Sequence, residues 1–198
     1  MIAILLGYLA GSVPFAFLLA RRRGVDVRIA GSGNVGAANV MRTTGTGRAI
    51  AVMALDVAKG AAAVALAHLA SAGVPLVAVT GAAAVVGHIY PVWLRFHGGK
   101  GVAVAAGVFA VLAPIATAVA AALFVVTVWL TRYVSLGSIA ATVALPPAAW
   151  LVGAPAAVVG AAGGTAVLIL FRHRANLRRL VAGTERRMSR RRTADAAH

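Results

Sequence analysis

The 198-residue sequence contains no cysteine, so neither a disulfide framework nor thiol chemistry is open to it. Acid is nearly absent: four Asp and Glu stand against nineteen Lys and Arg. With carboxylates this sparse and unclustered, no Mg²⁺ or Zn²⁺ site is supported and no metal or other cofactor is expected. A Gly-x-Ser-x-Gly nucleophile elbow is missing. So is a His followed five residues later by Asp, which removes the His-x4-Asp signature of the better-known acyltransferases. No Gly-Lys-Ser/Thr occurs and no strand precedes the glycine-rich stretch at 31–36, which excludes a nucleotide P-loop and a Rossmann fingerprint.

What is present is apolar and cationic. Hydrophobic residues make up 61% of the chain, against roughly 45–50% in soluble domains. The net charge of +15 alone would suit nucleic acid. A soluble basic domain would not carry this much apolar sequence, however, so the reading is a polytopic membrane protein facing anionic lipid or an anionic substrate, with no nucleic acid partner. The length suits one domain, 1–198. The basic residues Arg21, Arg22 and Arg23 follow the first apolar run instead of preceding it, unlike a signal peptide. A retained first span with its N-terminus outside is therefore expected.

The apolar stretches are Met1–Ala20, Ile50–Leu69, Val74–Val92, Val102–Leu130, Leu136–Val152 and Ala154–Phe171. A span needs about 20 apolar residues. Val102–Leu130 is long for one helix and short for two, and Pro114 near its middle breaks or kinks a helix. If Lys100 and Arg132 both lie in the cytoplasm, the chain goes out and back between them. The expected fold class is thus an all-α membrane protein with seven transmembrane helices, two of them short and meeting at Pro114. Its N-terminus lies outside, its C-terminus is cytoplasmic, and a polybasic tail starts at about 186. Outer turns are short, at 71–73 and Gly153. Lys59 either snorkels or pairs with Asp56.

Four cytoplasmic segments carry polar chemistry. In Gly31–Arg48, GSGNVGAANVMRTTGTGR, Gly31, Gly33 and Gly36 permit tight turns. Ser32, Asn34 and Asn39 add uncharged donors, and Arg42 adds a planar cationic fork suited to phosphate. In Gly87–Gly101, GHIYPVWLRFHGGKG, the glycines Gly98, Gly99 and Gly101 surround Lys100 directly before a helix, an arrangement suited to an anion. His88 is read chiefly as a packing or capping residue. In Arg132–Ser138, Ser135 and Ser138 are either turn residues or substrate contacts. In Phe171–Glu185, His173 and Asn176 share a helix face, and Glu185 is suited to pairing with arginine. Anion-binding groups are plentiful and acid–base groups few, so the chemistry expected is that of phosphorylated, already activated substrates.

Taken in order, GSGNVGAANVMR, DVAKG, GHIYPVWLRFHGGKGVA, SLGS and RHRANLRRLVAGTE resemble the bacterial integral-membrane glycerol-3-phosphate acyltransferases that use acyl phosphate, the PlsY family. The resemblance covers nearly the whole chain. Val35, Ala38, His97 and Val104 depart from the family pattern, where Pro, Thr, Lys and Thr are usual. The resemblance implies acyl transfer from acyl phosphate to the 1-hydroxyl of glycerol 3-phosphate, giving lysophosphatidic acid and phosphate on the cytoplasmic face of the bacterial inner membrane. It implies Ser32, Arg42, Lys100, His173 and Asn176 as catalytic residues and Gly98, Gly99 and Gly101 as substrate-binding. Ser135 falls in a loop that also belongs to the site, and Glu185 becomes structural. With Gly31, Gly33, Asn34 and Asn39 these complete the expected site, in a protein that functions as a monomer among membrane lipid. A substrate phosphate is favoured over His173 as the proton acceptor. The rival readings are a small phosphate-ester transporter, against which no charge stands mid-span, and a structural anchor, which leaves the loop glycines unexplained.

Overall fold

The computed structural model describes residues 1–70 and 72–188. Ser71 of the predicted outer turn and the basic tail beyond residue 188 lie outside the described residues. The described residues form an all-helical protein: α1 (Ile2–Ser12), α2 (Phe15–Arg21), α3 (Ala37–Thr44), α4 (Thr46–Leu69), α5 (Val74–Ile89), α6 (Val102–Leu112), α7 (Pro114–Thr131), α8 (Val134–Leu151), α9 (Ala156–Arg172) and α10 (Arg174–Val181), with a 3₁₀ turn at Val92–Leu94. Five segments are long and apolar enough to cross a membrane: Ile2–Arg21, Thr46–Leu69, Val74–Leu94, Pro114–Thr131 and Val134–Leu151. The pair α9–α10, bent by 57°, would be a sixth. Large apolar side chains such as Ile115, Trp129, Leu151 and Val167 point outward at 65–79% exposure, which suits a lipid-facing surface.

The helices approach one another through small residues. A Cβ on Gly11 of α1 would sit 1.9 Å from the Ala84 carbonyl oxygen of α5. One on Gly107 of α6 would sit 1.9 Å from that of Val57 on α4. Nothing but glycine lets these backbones meet, as in other membrane helix pairs. The first apolar run is not one straight helix: it breaks at Val13–Pro14, where Pro14 cannot donate to α1.

The long stretch after Lys100 divides at Pro114 as the sequence predicts. Proline opens α7, where its missing N–H costs nothing. The two halves are unequal. α7 has 18 residues, whereas α6 has 11 and extends only about 16 Å. Its shortness has a structural reason. Gly60, fourteen residues into α4, packs against Val104 near the start of α6. The loop at 90–101 therefore reaches about 20 Å along α4 before α6 begins. Non-helical backbone at such depth is tolerable only when it packs on protein or lines a cavity, and this loop does both.

Candidate active site

One cavity of about 1120 Å³ gathers the four polar segments. Arg28, Arg42, Arg95, Lys100, Arg172, Arg179 and Arg186 line it, against three carboxylates, Asp26, Asp56 and Glu185. Asp26 is committed to Arg28 at 2.7 Å. The remaining wall is apolar, built from α4, α6, α7, α8 and α9 by residues such as Val57, Ala105, Phe124, Leu145 and Ile169. The space thus has a cationic end and an oily end.

The first loop is built around Asn39. Its side-chain oxygen accepts from the Ser32 backbone N–H at 2.8 Å, and its NH₂ donates to the carbonyls of Val27 and Ala30 at 2.9 and 3.0 Å. Fully buried, Asn39 scaffolds the loop with the polar groups that the sequence offered for phosphate. Gly31 and Gly33 both adopt left-handed backbone, φ 65° and 70°. The loop then presents Ser32 and Asn34 to the cavity, and Arg42 reaches it from α3. Among the described residues Arg42 forms no ion pair, leaving its fork available.

The glycine-rich second loop returns against the end of α5. The Gly98 and Gly99 N–H groups donate to the carbonyls of Ile89 and His88 at 3.0 and 3.1 Å. Gly98 and Gly101 line the cavity, but Gly99 does not. A Cβ there would meet the His88 ring and the Val35 carbonyl, so Gly99 serves close packing. Gly101, at φ 91°, caps α6, and Lys100 before it meets the fourth segment. Lys100 donates to the Asn176 side-chain oxygen, and Asn176 in turn donates to Glu185 Oε1 at 2.6 Å. Glu185 Oε2 accepts from Arg179 at 2.6 Å. Glu185 therefore sets the Asn176 amide with its oxygen toward Lys100. Burial works against its charge, but the bonds from Asn176 and Arg179 outweigh it and hold the carboxyl below its usual range. Burial, reinforced by Arg179, Arg172 and Arg42 and only partly opposed by Glu185, draws the Lys100 ammonium down to about 8.

His173 is buried, and its Nδ1–H donates to the Ile169 carbonyl at 2.8 Å, which leaves Nε2 as the ring's lone-pair nitrogen. Ser135 lines the cavity with its hydroxyl buried beside Glu185 but without a well-formed hydrogen bond. Ser138 turns back to its own helix, donating to Val134. His97 and Val104, two departures from the family pattern, part ways here. His97 sits on the cavity edge with Nδ1 committed to the Arg95 carbonyl, and Val104 is packing against Gly60. Sequence reading overlooked Arg172, which lines the cavity and donates to the Gly98 carbonyl at 3.2 Å. Only its place beside His173 could have pointed to it.

A membrane-embedded cavity with a cationic head and an oily body defines a protein that handles phosphorylated amphiphiles. The family model for glycerol-3-phosphate acyltransferase matches residues 1–183. A glycerol-3-phosphate acyltransferase of Rubrobacter xylanophilus is 49% identical over 93% of this chain and 92% of its own, and that of Geobacter sulfurreducens 46% identical over 91% and 93%. A crystal structure of PlsY (YgiH), an integral membrane glycerol 3-phosphate acyltransferase, in its glycerol 3-phosphate form aligns with TM-score 0.91 at 38% identity, covering 95% of this chain and 94% of that one. The lysophosphatidic acid form aligns with TM-score 0.89 at 37% identity, with the same coverage. The chain belongs to the glycerol-3-phosphate acyltransferase family and is an integral-membrane acyltransferase of the PlsY type.

Proposed function

We propose that this protein transfers an acyl group from acyl phosphate to the 1-hydroxyl of glycerol 3-phosphate, releasing lysophosphatidic acid and inorganic phosphate. The observation that carries the reading is the joining of a multi-arginine end and an apolar body in a single cavity larger than the roughly 300–1,000 Å³ of ordinary small-molecule sites. Two phosphates and one acyl chain need such a space.

Arg42 and Lys100 offset the repulsion of two phosphates brought together. The glycerol oxygen attacks the acyl carbon, the bond from that carbon to the phosphate oxygen breaks, and inorganic phosphate departs. A mixed anhydride of this kind needs little leaving-group activation. The hydroxyl proton passes to a substrate phosphate. His173, with Nδ1 tied to Ile169, and Asn176, held between Lys100 and Glu185, position the head groups. Ser32 and Ser135 provide hydroxyls to the cavity, which Asn34, Gly98 and Gly101 also line.

The proposed topology has seven passages, with the N-terminus outside and the site facing the cytoplasm of the inner membrane, in a monomer. It is supported by how the chain ends meet. Lys100 before α6 bonds Asn176, while Arg132 after α7 exchanges backbone and side-chain hydrogen bonds with Met188 at 2.8 and 2.6 Å. Both ends of the α6–α7 pair thus lie near the C-terminal segment, which supports reading the pair as an out-and-back hairpin. The basic residues then gather on one face.

The test is to add palmitoyl phosphate and glycerol 3-phosphate to the detergent-purified protein with chelator and to measure phosphate and lysophosphatidic acid. Turnover that collapses in Arg42→Ala and Lys100→Ala supports the reading. Turnover with acyl thioesters alone overturns the donor, and no turnover with any donor in folded protein overturns the function.

A further inference from the structure

Under the glycine-rich loop, at the edge of the cavity, lies a buried ionic cluster to which the proposed reaction gives no role. Asp56 and Lys59 on α4 are 2% and 7% exposed, and His88 at the end of α5 is 9% exposed. The Lys59 ammonium lies 2.9 Å from Asp56 Oδ1 and 3.1 Å from His88 Nδ1, and it donates to the Val13 carbonyl at 2.8 Å. That last bond ties the cluster to the break between α1 and α2. Since the ammonium can only donate, His88 Nδ1 accepts, and the ring's proton sits on Nε2. Nε2 faces the loop: a Cβ on Gly99 would fall 2.2 Å from it and 2.6 Å from the Val35 carbonyl oxygen. The His88 carbonyl also receives the Gly99 N–H. Gly99 is thus seated against the imidazole and the first loop at Val35, one residue before Lys100.

A buried ion pair with an imidazole beside it is costly and requires a defined geometry. A cluster needed only for packing has no reason to end in a ring pressed against the residue before the anion-binding lysine. We propose that Asp56 and Lys59 lock the His88 ring as the seat of the glycine-rich loop, making His88 a positioning residue that acts on substrate through Lys100. The inference rests on the reading of Lys100 as a phosphate ligand. It assigns the cluster neither to proton transfer nor to substrate contact: the cluster sets where the Lys100 ammonium stands relative to Asn176 and Arg42.

A double-mutant cycle tests this, with glycerol 3-phosphate binding to detergent-purified full-length protein measured by calorimetry and folding checked by thermal melting. His88→Asn keeps an acceptor near Nδ1 for Lys59 but removes the ring under Gly99. Gly99→Ala pushes the loop off the ring and leaves the cluster intact, providing a second route should His88→Asn fold poorly. Each is expected to weaken binding about tenfold in the wild-type background and less than twofold in a Lys100→Met background, because effects transmitted through one residue are not additive. Wild-type affinity in both variants, or an equal loss with and without Lys100, overturns the proposal. Binding is read without turnover. A protein that binds glycerol 3-phosphate but shows no acyl-phosphate activity thus defeats the proposed reaction while leaving this inference to be decided by the cycle.

Discussion

Raising the pH from 7 to 9 should disarm the site through Lys100 alone. Its ammonium titrates at about 8, so the charged fraction falls from about 0.9 to about 0.1 over this interval. The phosphate of glycerol 3-phosphate, with a second pKa near 6, is a dianion throughout. If only the charged form binds it, apparent affinity falls in proportion to that fraction, about tenfold or about 1.4 kcal/mol. The assay is kcat/KM for glycerol 3-phosphate, which reports ionisations of the free enzyme and free substrate. It should show an alkaline limb with midpoint near 8. Lys100→Arg, which remains charged, should remove that limb at lower overall activity. Stability runs the other way. A lysine whose folded pKa lies below its unfolded value carries its desolvation cost at low pH and sheds it as pH rises above about 8, where the unfolded chain binds more protons. Melting temperature should therefore not fall with activity on this account. A kcat/KM that is flat from pH 7 to 9, or that declines with the same midpoint in Lys100→Arg, would refute the reasoning.

Glu185→Gln should cost about 1.5 kcal/mol in melting experiments, the low end for a charge-assisted bond because Arg179 is 44% exposed, and should lower turnover by releasing Asn176. Since the Glu185 carboxyl is held below its usual range, the wild-type contribution is complete above about pH 4.3 and is lost as the pH falls through the lowered value. Gly31→Ala places a side chain at φ 65° with its Cβ 2.3 Å from Asn39 Oδ1. It should cost at least about 1–2 kcal/mol in a melt and abolish turnover by misplacing Ser32. Ala166→Phe fills the oily wall about 9 Å along α9 from Arg172. It should lower kcat/KM for palmitoyl phosphate about tenfold relative to octanoyl phosphate. Equal losses for both chains would show that the acyl group lies elsewhere.

The segments that carry the site were legible because their composition is improbable in an apolar chain: glycine, asparagine and arginine at 31–48, and GGKG before a helix. Pro114 marked the division of the long apolar stretch for the same local reason, a missing N–H. Polar identity alone, however, did not separate ligand from scaffold. Asn39 reads as a substrate contact and does border the cavity, but its amide is bonded to Val27, Ala30 and Ser32, and Gly99 packs on His88. His88 does close α5 as a packing residue, as its place in the sequence suggests, whereas nothing local but its place beside His173 marks Arg172 among nine arginines. The depth of the 90–101 loop, which shortens α6, left no mark on hydropathy.

The sequence by itself determined that this chain is helical and membrane-embedded, that its charge is overwhelmingly positive, and which four segments carry its polar residues, since these follow from residue type and spacing along the chain. Only the tertiary structure decided that Lys100, Asn176, Glu185 and Arg179 form one hydrogen-bonded line, and that Asp56, Lys59 and His88 close beneath Gly99. The bonds that close these groups, Lys100 to Asn176 and Lys59 to His88, join residues 76 and 29 positions apart. They depend on where glycines let helices approach, which is a property of packed surfaces and not of any local stretch of chain.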